Sequence, residues 1–279
     1  RVIASTLVGS ANHVLSGQKY TTLFIDEAAQ ALEAACWIAM KRASRVVLAG
    51  DHCQLPPTVK SFEAMRGGLA KTLMERIVEK KPEVVTLLKM QYRMNERIMR
   101  FSSDWFYGGM VEPAPEVRHR GILDYDEPMA WIDTSGTEAY EQFVGESFGR
   151  INKREARLEE SIDVGIISPY RAQVQYLRQL IKQSDFFRPY RKLIAVNTVD
   201  GFQGQERDIV FISLVRSNQE GQIGFLSDLR RMNVAITRAR MKLVIMGNAE
   251  TLGHTAFYKK LYAYVTGEED AGEEDADGV

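Results

Sequence analysis

The sequence predicts an α/β fold with mainly parallel sheets, on three observations. Short β-branched apolar runs recur along the chain, they are nearly continuous rather than alternating, and stretches with helical spacing separate several of them. Continuous apolar runs suit strands buried on both faces of a parallel sheet. Strands separated by helices suit right-handed crossover units.

Taken in order, the runs read as strands are Val2 to Val8, Thr22 to Ile25, Arg45 to Ala49, Val84 to Leu88, Val164 to Ile167, Leu193 to Val196, Ile209 to Leu214 and Leu243 to Met246. Leu32, Ala35, Cys36 and Ala39 share one face at helical spacing, as do Met94, Ile98, Phe101 and Trp105, and later Val174, Leu177 and Ile181. The charged, proline-containing Lys80-Lys81-Pro82-Glu83 marks a boundary, and Glu112 to Glu127 reads as a long polar loop. No short fixed-period repeat is present.

At 279 residues the chain has room for one large domain or two of ordinary size. Apolar residues make up 45% and charged residues 26%, which excludes a wholly disordered chain. No apolar run approaches the roughly 20 residues of a membrane-spanning helix, so no membrane is expected as a partner. Two cysteines exclude a disulfide scaffold and, with no secretion pattern at the start, predict an intracellular, cytoplasmic setting. The first residue is Arg1 rather than Met, and the expectation is a chain that begins inside a longer polypeptide. Formal charge is −1, from 36 bases and 37 acids, but seven of those acids lie between Glu268 and Val279 with no base among them. Without them, 36 bases face 30 acids, a charge of +6 compatible with a polyanionic partner. The acidic end reads as a solvated, disordered tail, with a nucleic-acid mimic as the alternative.

Two loops carry the chemistry. Leu23-Phe24-Ile25 runs into Asp26-Glu27, and the next apolar run is followed by Gly50-Asp51-His52-Cys53-Gln54-Leu55-Pro56-Pro57-Thr58. Ligands of open α/β sheets bind beyond the carboxyl ends of strands. An Asp there can hold Mg²⁺, and an adjacent Glu can take a proton from an attacking water. Alone, the pair reads equally as a helix N-cap and first-turn acid. With the two strand ends close in one sheet, Gln54 can reach a terminal phosphate or its lytic water.

These segments, with Gln91-Tyr92-Arg93-Met94-Asn95, resemble the superfamily 1B helicases of the nonsense-mediated-decay and immunoglobulin-mu-binding type. Further on, Ile167 to Gln173 is similar to that family's motif IVa, Asn197 to Asp208 to motif V, and Asn233 to Arg240 to motif VI. The match runs from about Ser5 to Leu252, with the motifs in the family's order. The resemblance implies two RecA-like lobes of the P-loop NTPase fold, the first incomplete: 1–83, 84–265, and a tail over 266–279. It implies ATP and Mg²⁺ as cofactors, with Asp26 on the metal, Glu27 on the attacking water and Gln54 sensing the γ-phosphate. Arg93 and Arg238 become arginine fingers, a role that suits a planar, permanently charged fork and can speed phosphoryl transfer by ~10³ to 10⁵. Tyr92 stacks on adenine, Glu206 accepts from the ribose hydroxyls, and Gly201 and Gly204 let the motif V loop approach closely. Single-stranded DNA or RNA is the implied partner of a monomeric, 5′-to-3′ helicase whose ATP binds between the lobes. Ser5, Thr6, Thr58, Tyr170 and Thr198 are the implied strand contacts, although Ser and Thr at loop ends also serve as turn caps.

The chain departs from the family twice. It has no Gly-x-x-x-x-Gly-Lys-Ser/Thr loop and no Gly-Lys dipeptide, so the expectation is a chain starting partway through the first lobe, an incomplete sheet there, and negligible ATP hydrolysis by 1–279 alone. Only seven residues, Arg157 to Asp163, separate the Asn152–Ala156 segment from the strand at Val164, where the family has a full helix. Cys36, Cys53 and the four histidines do not have zinc spacing, so no structural metal is expected. Met90, Met94, Met99, Trp105, Phe106, Trp37 and Trp131 read as packed side chains. The rival function is a nucleic-acid-binding or protein-interaction module that never hydrolyses ATP. A dinucleotide enzyme would need Gly-x-Gly-x-x-Gly, which does not occur.

Overall fold

Where the sequence is most continuously apolar the chain builds one all-parallel sheet. Its strands are β5 (Met129–Asp133), β8 (Val164–Ile167), β9 (Ile194–Asn197), β10 (Arg207–Ser213) and β11 (Ala239–Gly247), side by side in the order β5-β11-β10-β8-β9. A computed structural model describes residues 2–122, 127–136, 142–144, 149–151 and 163–268. The short segment from Arg157, read against a missing helix, lies outside them up to residue 162, and so does the acidic tail from residue 269. The chain forms two compact units, one up to Leu87 and one from Leu88 onward.

In the second unit β10 lies between β11 and β8, with Ile209 opposite Val164 and Ile212 opposite both Ile167 and Ile245. All four residues of β8 are buried. Helix α6 (Arg171–Gln183) turns Val174, Leu177 and Ile181 onto this sheet, the stripe its spacing predicts. Helix α7 (Leu229–Ile236) buries Met232 to Ile236, and α8 (Ala249–Leu252) is a single turn capped by Asn248. Helix α9 (Ala256–Thr266) meets α4 (Glu96–Phe106) through aromatic edges: Phe257 lies 5.4 Å from Phe101 and 5.1 Å from Trp105. The short strands β3 (Met90–Gln91) and β4 (Glu112–Pro113) pair in parallel, and β6 (Gln142–Val144) and β7 (Gly149–Ile151) pair antiparallel.

The first unit has β1 (Tyr20–Ile25) and β2 (Ala43–Leu48), paired in parallel with Ile25 opposite Leu48. Helix α1 (Glu33–Met40) connects them. A single turn, α2 (Phe62–Ala64), precedes α3 (Leu73–Lys80), which starts with a capping box between Thr72 and Glu75. The core here is small: Ile25, Ala28, Cys36 and Leu73.

Several sequence expectations fail for identifiable reasons. Val2 to Val8 forms no strand, because no ladder partner runs beside it among the described residues, and Val2 and Ile3 are exposed. Val84 to Leu88 is a 3₁₀ turn followed by extended chain, and only Met90–Gln91 pairs. The loop expected over Glu112 to Glu127 contains β4 and the turn α5 (Pro115–Arg118), started by a proline suited to the first helical position. Trp37 and Met90 are exposed rather than packed, and the Trp37 indole N–H reaches the Glu33 carboxylate.

Candidate nucleotide and nucleic-acid sites

In the first unit the parallel pairing of β1 and β2 delivers both predicted loops to the same end of the sheet. The Ala28 amide donates to the Ala49 carbonyl at 2.8 Å, and the Ala49 amide to that of Ile25 at 2.9 Å. Gly50 is required for this closeness, since a Cβ there would lie 3.0 Å from the amide nitrogens of Ala28 and Ala29. Asp26 and Glu27 are both exposed. Asp26 Oδ1 accepts from the Glu27 amide, which leaves its second oxygen open to a cation. Glu27 has left-handed backbone angles, φ 51° and ψ 39°, and its carboxylate accepts from Gln30 at 2.7 Å. Gln54 does not extend freely: its amide donates to Asp51 Oδ2 at 2.8 Å, while Asp51 Oδ1 accepts from the Cys53 amide.

A donor set that spacing rules did not suggest also lies in this loop. Asp51, His52 and Cys53 offer ligand atoms within 4.8 Å of one another, and His52 Nε2 lies 3.7 Å from Cys53 Sγ. Consecutive residues escape a search for paired cysteines and histidines. Cys36 is different, since burial raises its thiol above the ordinary range.

In the second unit Arg93, Glu206 and Arg238 come together. The Gln91 side chain accepts from the amides of Arg93 and Met94, shaping a turn that leaves Tyr92 62% exposed. Asn95 then caps α4 by accepting from the Arg97 amide. Arg93 pairs with Glu206 through Nε, and its Nη1 donates to the Thr237 carbonyl at 3.3 Å. Arg238 is 3% exposed and donates to the Val234 and Gln205 carbonyls and, at 2.9 Å, to the Thr237 hydroxyl. The two predicted fingers therefore share Thr237, one on its carbonyl and one on its side chain.

Arg240, which the sequence reading left without a role, ties together Glu206 (3.4 Å), Asp208 (2.7 Å) and Asp163 (3.5 Å). Partial burial alone would raise the Glu206 carboxyl. The hydrogen bond and charge of Arg93, with Arg240 and Arg120, outweigh that and hold it below the usual range. Its visible signal in the sequence was the alternation of acids and arginines over Glu206-Arg207-Asp208 and Arg238-Ala239-Arg240.

The expected strand contacts divide into two groups. Ser5, Thr6 and Thr58 are exposed, and Thr198 is half-buried. The Thr6 hydroxyl accepts from the Gly9 amide and the Thr198 hydroxyl from that of Gly201, so both act as turn caps. Tyr170, by contrast, is 4% exposed with its ring tilted against Phe225 at 5.7 Å, so it presents no ring at a loop tip. Gly204 has φ +72°, and a Cβ on Gly201 would strike the Asn197 side chain, so the loop needs both glycines.

Known proteins share these segments. A family model described as an AAA domain matches residues 69–250, and a second AAA domain model matches residues 1–62. The DNA-binding protein SMUBP-2 of Rattus norvegicus is 36% identical over 291 aligned positions, covering 95% of this chain and 29% of that protein. An uncharacterized ATP-dependent helicase of Methanocaldococcus jannaschii is 37% identical over 282 positions, covering 93% of this chain and 41% of that protein. The regulator of nonsense transcripts 1 homolog of Drosophila melanogaster is 35% identical, covering 93% of this chain and 23% of that protein. The chain spans less than half the length of each of these relatives.

Proposed function

Because the chain belongs to the AAA-domain family of superfamily 1B helicases, we propose that it is the part of an ATP-dependent helicase that couples hydrolysis to 5′-to-3′ movement on single-stranded DNA or RNA. The observation that carries this reading is the meeting of Arg93 and Arg238 at Thr237, beside Glu206. A module that only bound nucleic acid would have no use for two guanidinium groups on one residue next to a nucleotide-type acid.

In the first unit the open oxygen of Asp26 fits a hard cation, and Mg²⁺ when bound would neutralise charge developing on the phosphates. Glu27, oriented by Gln30, would hold or deprotonate the attacking water, and Gln54, steadied by Asp51, would read the terminal phosphate. In the second unit, Arg93 would exchange its carboxylate partner for phosphate oxygens. That exchange frees Glu206 to accept from ribose hydroxyls, so one ion pair stores both groups until nucleotide arrives. The exposed face of Tyr92 suits stacking on adenine. With the Tyr170 ring inside the fold, Ser5, Thr6, Thr58 and Thr198 are the strand contacts we assign.

Residues 1–279 contain no Gly-Lys-Ser/Thr cradle for the β- and γ-phosphates, so this chain alone should hydrolyse no ATP. In a chain that also carries a phosphate loop, Glu27→Gln should lower kcat by ~10²–10⁴ while nucleotide affinity is kept. Turnover by 1–279, or an unaltered kcat in Glu27→Gln, would overturn these assignments. Tight oligonucleotide binding with no turnover even beside a phosphate loop would favour the non-hydrolytic module instead.

A further inference from the structure

Basic residues of the second unit fall into two populations. Arg93, Arg97, Arg207, Arg231 and Arg240 each lie beside a carboxylate. Between Arg171 and Asn197 there are six basic residues and one acid, Asp185. Among the described residues, none of those six is in an ion pair.

Two of these charges are held by carbonyls, with no carboxylate partner among the described residues. Arg171, Arg178 and Lys182 follow one another at spacings of seven and four along α6, on the stripe away from the core. Arg178 donates through Nε and Nη2 to the Val196 carbonyl on edge strand β9, at 3.0 and 2.7 Å. Arg191 closes the end of α6 by donating to the Ile181 and Ser184 carbonyls, both at 3.2 Å. A carbonyl orients a guanidinium but leaves its charge uncancelled. Arg178, Lys182 and Arg191 line one open cavity of about 410 Å³ together with Asn197, Phe202 and Gln205. Asn197 and Gln205 bracket the Thr198–Gly204 loop, so the cavity borders the assigned strand contact.

Next to these cations the chain exposes aromatic rings. Phe187 packs on the core, and Phe186 meets it edge-on at 5.1 Å while remaining 56% exposed. Tyr190 lies 6.2 Å from Phe186 and is also exposed. Arg188, between the two rings in sequence, and Lys192, two residues beyond Tyr190, are exposed as well. Aromatic faces beside unpaired cations are what single strands use, rings for bases and charges for phosphates.

We propose that this edge is a further nucleic-acid subsite, continuing the strand from the Thr198 loop along β9 onto Phe186 and Tyr190. The phosphates face Arg178, Lys182 and Arg191 along the cavity and Arg188 and Lys192 beside the rings, and the bases stack on the two exposed rings. The subsite rests on the reading that the chain binds single-stranded nucleic acid, and the test separates the two. Fluorescence anisotropy of the 279-residue chain is measured with oligothymidylates of about 8 and about 24 nucleotides, since comparable sites span about 4 to 16. Phe186→Ala/Tyr190→Ala should weaken the longer oligonucleotide ~10-fold or more and leave the shorter one within about twofold. Arg188→Glu/Lys192→Glu, at exposed positions with no packing role, should flatten the salt dependence of the longer one by about 1.4 for two lost phosphate contacts. Wild-type affinity for the longer oligonucleotide in both variants overturns the subsite and leaves the helicase reading intact. A wild-type chain that binds neither oligonucleotide removes both. Loss confined to an acidic peptide probe would assign the surface to a protein partner and overturn the nucleic-acid assignment.

Discussion

The two units apply one α/β logic at different depths of burial, and their charged residues differ accordingly. In the second unit β8 is wholly buried and Arg238 sits inside. In the first unit only Ile25 of β1 is buried, Phe24 on the same strand is 71% exposed, and Asp26 and Glu27 stand in solvent. A parallel strand is stabilised when both of its faces are covered. The unit that achieves this can hold cations in fixed, hydrogen-bonded positions, whereas the other presents its acids on loops. The largest expected effect tests that contrast. Ile166→Ala, on β8 with 0% exposure, should cost ~2–5 kcal/mol, while Phe24→Ala should cost less than about 1. Denaturant midpoints followed by circular dichroism measure both, and equal losses would mean that the first unit is packed as tightly as the second.

What the sequence made legible follows the same division. Runs buried on both faces, such as Val164 to Ile167 and Leu243 to Met246, carry their own signal because desolvation disfavours polar residues along the whole run. Strand β5 passed unread because Ile132 is the only β-branched residue of Met129-Ala-Trp-Ile-Asp, so it lacks the run that marked the other strands. Val2 to Val8 looked like a strand because apolar periodicity reports propensity, whereas a strand also needs a partner. Within the site, Asp26 and Glu27 were legible as acids placed after a strand, whereas Arg93 and Glu206 were singled out only by resemblance to a family. The burial of Arg238 and Tyr170 was not legible, since it depends on packing by α7 and by Phe225, far away in sequence. The bridging role of Thr237 was equally hidden, because a carbonyl and a hydroxyl acting on two different arginines leave no mark in a linear motif.

A smaller effect separates stored charge from exposed charge. Glu206 has its carboxyl held low by Arg93, Arg240 and Arg120 against the opposing effect of partial burial. A carboxyl lowered on folding adds stability above its unfolded value, near about 4.3, and that contribution fades as pH falls through the lower folded value. Wild type should therefore lose stability below about pH 5 more steeply than Glu206→Gln. The difference at neutral pH should stay under about 1 kcal/mol, because the pair is partly exposed and screened. Thermal melts of both proteins across the acidic range measure it. Parallel curves would mean that Arg93 is not held by this carboxylate in solution.

The smallest effect concerns Glu27, whose φ of 51° places an exposed, non-glycine residue in the left-handed region. Val215, at φ 68°, shares that geometry but is fully buried, so packing can offset its cost. Glu27 is exposed and lacks that packing, and its local bonds are to its neighbours Asp26 and Gln30. The left-handed conformation costs an L-residue about 1–2 kcal/mol, and glycine escapes that cost while giving back about 0.5–1 through its freer unfolded chain. Glu27→Gly should therefore be as stable as Glu27→Gln or exceed it by about 0.5 kcal/mol. Glu27→Ala, which keeps the Cβ and loses the bond, should fall below both. The denaturant midpoints of these three variants decide the matter. A glycine variant weaker than the alanine one would show that the backbone at Glu27 is unstrained, and the glutamate there would then need no functional explanation. If the predicted order holds, the first unit gives up stability to keep a carboxylate at this one backbone position, as expected where a side chain is kept for chemistry rather than for packing.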